Sequence, residues 1–239
     1  MGEQAGRDLH FAWGETGRSR AQDGADVVVV VDVLSFCTCV DVAVSRGATV
    51  MAWATRERFA AEWAARHQAV LAVSERSADH PSLSPASLSA IAPGTRLVLP
   101  SPNGALLTRR AASGAATVFA GCLRNAAAVA TAAASVTAGR VLVVAAGERW
   151  PDGSLRPALE DLVGAGSVLA RLPGTLSPEA AAAVAVYRDM DVRGALSRCE
   201  SALELCERGF GQDVELALEA DCSETAPVIR PPDGFFAGF

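Results

Sequence analysis

The chain has 239 residues, half of them apolar, with a formal net charge of −6 and a mean hydropathy of +0.24. Such a composition supplies apolar surface for a sizeable core, and an acidic balance without charge blocks argues against nucleic acid or an anionic membrane as the main partner. All 21 basic residues are Arg, which excludes a P-loop lysine, a Schiff-base lysine and a lysine general base.

Strand and helix patterns alternate along the chain. DLHFAWG (8–14) predicts a short strand, with a polar loop reaching Ala25. DVVVVVDV (26–33) reads as a strand buried on both faces inside a parallel sheet. Ser35 is placed to cap a helix that runs to Arg46 and stops at Gly47. ATVMAWA (48–54) is a strand, RERFAAEWAARH (56–67) an amphipathic helix and AVLAVS (69–74) a further strand. Residues 75–95 are rich in Ser and Pro and predict an irregular flap with a short helix at SPASLSAI. RLVLPS returns to strand, NGALLTRRAAS is a helix, TVFAG a strand, CLRNAAAVATAAASVTAG a helix and RVLVVAAGE a strand. A loop, RWPDGSLRP (149–157), precedes the helix ALEDLVGAGSVLARL. The last third reads as helices over 177–190, 195–209 and 213–220, with APVIR as a closing strand.

This alternation predicts an α/β fold, layered α/β/α around a mainly parallel sheet, with a helical C-terminal third. The whole of 1–239 reads as one unit, or as two intimately packed α/β subdomains dividing near 95–120. No apolar run is long enough to span a bilayer, and residues 1–22 have no secretory h-region. The six cysteines match no zinc spacing, so reduced thiols in a cytoplasmic protein are expected. Cys37 and Cys39 point to different sides of one helix and read as core. The apolar GFFAGF tail is a candidate contact for a homodimer, or packs on its own subunit.

Open parallel sheets bind ligands at the carboxyl ends of their strands. Asp32, Ser101–Asn103, Gly121–Asn125 and Gly147–Glu148 all fall at such ends. Asp32 reads either as a Mg²⁺ ligand or phosphorus nucleophile, or as a helix cap. Ser101, Asn103 and Gly104 suit an oxyanion at a helix start, although Pro-Asn-Gly is equally a turn. Arg124 offers bidentate contacts to phosphate, and Asn125 either joins it or caps its helix. Glu148, Arg156, Glu160 and Asp161 form a second group, one carboxylate of which completes a hard, oxygen-ligated Mg²⁺ site with Asp32. Glu160 and Asp161 also favour a helix N-terminus on dipole grounds alone.

Taken in order, DVL (32–34), Thr38, SPNG (101–104), LRNA (123–126), AGE (146–148), LEDLVGAG (159–166) and GQDVELALEAD (211–221) give the chain a resemblance to the 2-phosphosulfolactate phosphatase family. That resemblance implies a Mg²⁺-dependent phosphatase acting on a small anionic phosphomonoester. It implies that Asp32 and Glu160–Asp161 belong to the metal and catalytic site, with Asn103, Gly104 and Asn125 lining the substrate pocket. The expected catalytic residues are Asp32, Glu160 and Arg124; the substrate contacts are Ser35, Thr38, Ser101, Asn103, Gly104, Asn125 and Arg156; the metal ligands are Asp32, Glu148, Glu160 and Asp161. The chain departs from the family at Ser35, where Arg is usual, at Ala105, where Thr is usual, and in the Ser/Pro segment 77–85. The alternative is a catalytically inactive relative that binds an anionic metabolite.

Overall fold

The computed structural model describes residues 8–54, 59–230 and 235–239. In chain order, the first half runs β1 (Asp8–Trp13), α1 (Gly14–Ala21), β2 (Val27–Val31), α2 (Phe36–Ser45), β3 (Thr49–Trp53), α3 (Phe59–Arg66), β4 (Val70–Leu71), α4 (Pro85–Leu88), β5 (Arg96–Pro100) and α5 (Gly104–Ala111). The chain continues through β6 (Thr117–Gly121), α6 (Ala126–Val136), β7 (Arg140–Ala145), β8 (Glu148–Arg149), β9 (Leu155–Arg156), α7 (Leu159–Leu169) and β10 (Thr175–Leu176). Four helices follow, α8 (Pro178–Asp189), α9 (Val192–Leu196), α10 (Glu200–Glu207) and α11 (Gly211–Ala217), before β11 (Pro227–Arg230) and β12 (Phe235–Gly238).

Among the described residues ten strands form one mixed, mostly parallel sheet in the order β10-β1-β7-β2-β6-β11-β12-β3-β5-β4, with helices on both sides, an α/β fold. β2 lies between β7 and β6 and is parallel to both. Its five valines are fully buried, and burial of each contributes about 1.5–3 kcal/mol relative to exposure. Val27, Val29 and Val31 pack toward α6 and α7, while Val28 and Val30 pack toward α2 and α5. A strand covered on both faces has no polar side to show, which is why its sequence does not alternate.

Two blocks of parallel strands are joined in the middle by the antiparallel pair β11–β12. Val28 and Val30 of the first block share a core with Val50, Ala52, Leu97 and Leu99 of the second, filled by Phe36, Val40 and Ala105. The sheet therefore curls about α2 and α5, and the loops after β2 and β5 meet.

Several local expectations are corrected. Residues 14–21 form a helix rather than a loop, with Glu15 and Arg18 paired at 2.8 Å on one face. The 69–74 strand shrinks to Val70–Leu71, and the 149–157 loop contains the return strand of a hairpin, β8 with β9. The helix expected over 195–209 is broken between Leu196 and Glu200 into α9 and α10. The tail forms β12, with Phe236 fully buried and paired in register with Val50 of the same chain. Residues 56–58 of the expected 56–67 helix lie outside the described residues. No helix among the described residues is long and apolar enough to cross a membrane.

Candidate active site

The loop after β2 carries Asp32, and both of its carboxylate oxygens accept backbone hydrogen bonds. Oδ1 accepts from the N–H of Phe36 at 3.0 Å, which closes the first turn of α2. Oδ2 accepts from the N–H of Gly104 at 2.9 Å, which ties that turn to the start of α5. A Cβ at residue 104 would stand 2.5 Å from Asp32 Oδ2 and 2.6 Å from Phe36 Cδ1, so only glycine allows the approach.

Asp161, in the first turn of α7, makes the equivalent clamp on the other side. Its Oδ1 accepts from Val33 N–H at 2.7 Å and its Oδ2 from Gly147 N–H at 2.8 Å. One carboxylate thus binds the β2–α2 loop to the β7–β8 loop. Glu160, the residue before it, is 2% exposed and accepts a contact from Cys199 Sγ at 3.4 Å. Glu148 is held at Oε2 by Asn103 Nδ2 at 3.0 Å.

These carboxylates crowd one another. Burial, then the nearby Glu148 charge, pushes the Asp32 carboxyl up to about 7. Burial raises Asp161 well above the usual range, with the Asp32 and Glu160 charges adding to it. Glu148 is raised as well, chiefly by burial. Among the described residues no ion pair reaches any of the four, because the arginines near them are engaged elsewhere. Beside Glu148 and Asn103 opens a cavity of about 360 Å³ that is also lined by Gly14, Thr16, Arg149 and Ser154.

The structure brings together Asp32, Asn103, Gly104, Glu148, Glu160 and Asp161. Ser101 is buried at the end of β5, its N–H donating to Trp53 C=O at 2.9 Å. Other expected contacts are placed differently. Thr38 is fully buried and its hydroxyl donates to Val33 C=O at 2.7 Å. Asn125 is spent on its own turn, accepting from Cys122 N–H at 2.9 Å and donating to Ala120 C=O at 3.3 Å. Arg124 donates to Asp41 at 2.9 Å, to Leu216 C=O at 3.0 Å and to Glu219. Arg156 sits across the hairpin from Glu148, but its guanidinium pairs with Glu200 at 2.6 Å and Glu204 at 3.5 Å.

Arg76 and Asp213 escaped the sequence reading. Arg76 bridges Asp213 at 2.6 Å and Ser35 Oγ at 3.0 Å, while Asp213 also accepts from Ser84 Oγ and Ala86 N–H. The Ser/Pro segment thus delivers a guanidinium to Ser35. Two residues separated by 137 positions leave no local signal of such pairing.

Mg²⁺ is tested by the donor set. Four neighbouring carboxyl groups suit a hard cation in chemistry. Among the described residues no group of three His, Cys, Asp or Glu side chains is arranged to hold an ion. A Mg²⁺ ion here would have to rest on one or two carboxylates, with water and substrate in its remaining positions.

Comparison with known proteins adds two findings. The family described as 2-phosphosulpholactate phosphatase matches residues 15–232. A relative, the 2-phosphosulfolactate phosphatase of Methanothermobacter thermautotrophicus, is 35% identical over 138 residues, 57% of this chain and 57% of that protein. The match therefore spans just over half the length of that relative.

Proposed function

Because the chain belongs to the 2-phosphosulpholactate phosphatase family, we propose that it is a Mg²⁺-dependent phosphatase hydrolysing a small acidic phosphomonoester, 2-phosphosulfolactate or a related 2-phospho acid. The observation that carries this reading is the set of buried, mutually repelling carboxylates beside a cavity at the carboxyl end of β2. Repulsion that burial leaves uncompensated is relieved by a cation, which can also stabilise phosphoryl oxygens.

In this reading Asp32 and Glu160 would hold Mg²⁺, which would supply charge neutralisation to the phosphoryl oxygens. Asp161 positions the site by fixing Val33 and Gly147 together. Glu148, oriented by Asn103 at the cavity wall, takes a proton from the attacking water. As the bond between phosphorus and the substrate alcohol oxygen breaks, the leaving oxygen on the opposite side of phosphorus takes a proton from water, giving alcohol and inorganic phosphate, and Glu148 then releases its proton to solvent. Arg149, Thr16 and Ser154, which also line the cavity, face the acid group of the substrate. Arg124 has the role of a structural partner for Asp41 rather than a contact to phosphate.

The test is phosphate release with and without Mg²⁺ on 2-phosphosulfolactate, 2-phospholactate and 3-phosphoglycerate, with Asp32→Asn as the control. Metal-dependent turnover on at least one of them, reduced by roughly 100-fold or more in the variant, is expected. Metal binding without turnover on any of them would favour a non-catalytic, anion-binding relative.

A further inference from the structure

The cavity beside Glu148 has a charge pattern that limits how many acid groups its occupant can carry. Among the described residues that line it, Arg149 is the one cationic side chain. Its guanidinium donates to Gly153 C=O at 3.1 Å and, among the described residues, makes no ion pair. Glu15, the other acid in the wall besides Glu148, has both oxygens on Arg18 at 2.9 and 2.8 Å, and Arg18 is buried outside the wall. Arg76 and Arg156 are not in the wall either, and they are held by Asp213 and by Glu200 and Glu204. One acid group therefore finds a cation here, and a second does not.

The other side of the cavity is apolar, with Trp13, Leu106 and Leu155 in the wall. Leu155 is 40% exposed and stands directly opposite Arg149 in the β8–β9 hairpin. Directly opposed residues of an antiparallel pair lie side by side on one face, so a cation and an apolar side chain are presented together. We propose that the substrate is the phosphate ester of a 2-hydroxy monocarboxylic acid with an apolar arm, its carboxylate on Arg149 and its arm against Leu155, Leu106 and Trp13. This rests on the phosphatase reading and narrows it. Carbon 2 of such an ester carries the phosphate oxygen, the carboxylate and the arm, which matches an acid-binding and an apolar group standing next to each other. A second acid, such as the sulfonate of 2-phosphosulfolactate, would enter the same wall without a cation and with Glu148 beside it, and an unpaired charge is strongly disfavoured in a partly desolvated site.

The experiment compares kcat/KM for Mg²⁺-supported phosphate release from three esters that share the 2-phospho acid head and differ in the arm. The arm is methyl in 2-phospholactate, isobutyl in 2-phospho-4-methylpentanoate and sulfomethyl in 2-phosphosulfolactate. The isobutyl ester should exceed the sulfomethyl ester roughly fivefold or more, with the methyl ester between them. Leu155→Arg, at an exposed hairpin position, should narrow that ratio by supplying the missing cation. Arg149→Gln should raise KM for the isobutyl ester roughly tenfold. A smaller or reversed preference, a ratio untouched by Leu155→Arg, or an unchanged KM in Arg149→Gln would overturn this inference and leave the phosphatase reading in place. Release from none of the three esters would overturn both.

Discussion

Asp32 sits at the end of the most apolar strand because that strand delivers it, desolvated, to a point where three loops converge. Burial and the charge of Glu148 hold its carboxyl near 7, against about 3.9 in an unfolded chain. Between those two values the folded protein binds the extra proton, so metal-free stability falls as pH climbs from about 4 to about 7 and then levels. A cation competes with that proton. Mg²⁺ at about 100 times its dissociation constant should raise Tm by roughly 5–10 °C at pH 8, and by clearly less at pH 5.5. Equal shifts at both values, read by scanning calorimetry, would remove Asp32 from the metal site. Gly104→Ala forces a Cβ against the same carboxylate. Overpacking of this kind costs about 1–3 kcal/mol, and phosphate release should fall with it; a variant as stable and active as the parent would show that the contact has slack.

Among the elements, α2 is held at its start and its middle by carboxylates. Its start is fixed through Asp32, and its middle through Asp41, a fully buried carboxylate that accepts from Ser223 Oγ at 2.6 Å and from Arg124 at 2.9 Å. Arg124 thereby joins α2 to the β6–α6 loop and to α11, whose Leu216 carbonyl it also engages. Replacing Arg124 with Met strands a buried charge, and the expected loss is about 3–5 kcal/mol. Turnover per folded molecule should stay within roughly threefold of the parent. Urea titration paired with kinetics below the transition checks this, and a large fall in kcat with stability intact would return Arg124 to the catalytic set. Asp213 performs the same kind of junction for the flap, gathering Arg76, Ser84 and Ala86.

For the whole molecule, the last strands decide whether two parallel blocks become one sheet. β11 meets β6, β12 meets β3, and Phe236 packs fully buried near Phe36 at a ring separation of 6.5 Å. Phe236→Ala should cost about 3–5 kcal/mol, measured as a shift of the urea midpoint. A change within error would mean that the blocks hold together without β12. Because α2 and α5 lie inside the curl, loosening this seam should also weaken the Gly104–Asp32 contact and with it the site.

The sequence by itself determined the layered α/β class, the buried β2 strand and the placing of Asp32, Asn103, Gly104, Glu148, Glu160 and Asp161 at strand and helix ends, because apolar periodicity and turn residues act over a few positions. The ordered motifs also carried the family resemblance. Only the tertiary structure decided how the arginines are used. Arg124 and Arg156 offered the same signal as any phosphate-binding Arg, and their partners Asp41, Glu219, Glu200 and Glu204 are remote in the chain. The pairing of Arg76 with Asp213, the tail's entry into the sheet and the raised carboxyls have the same origin. Each depends on which distant groups share a desolvated space, and that is fixed by packing rather than by spacing along the chain.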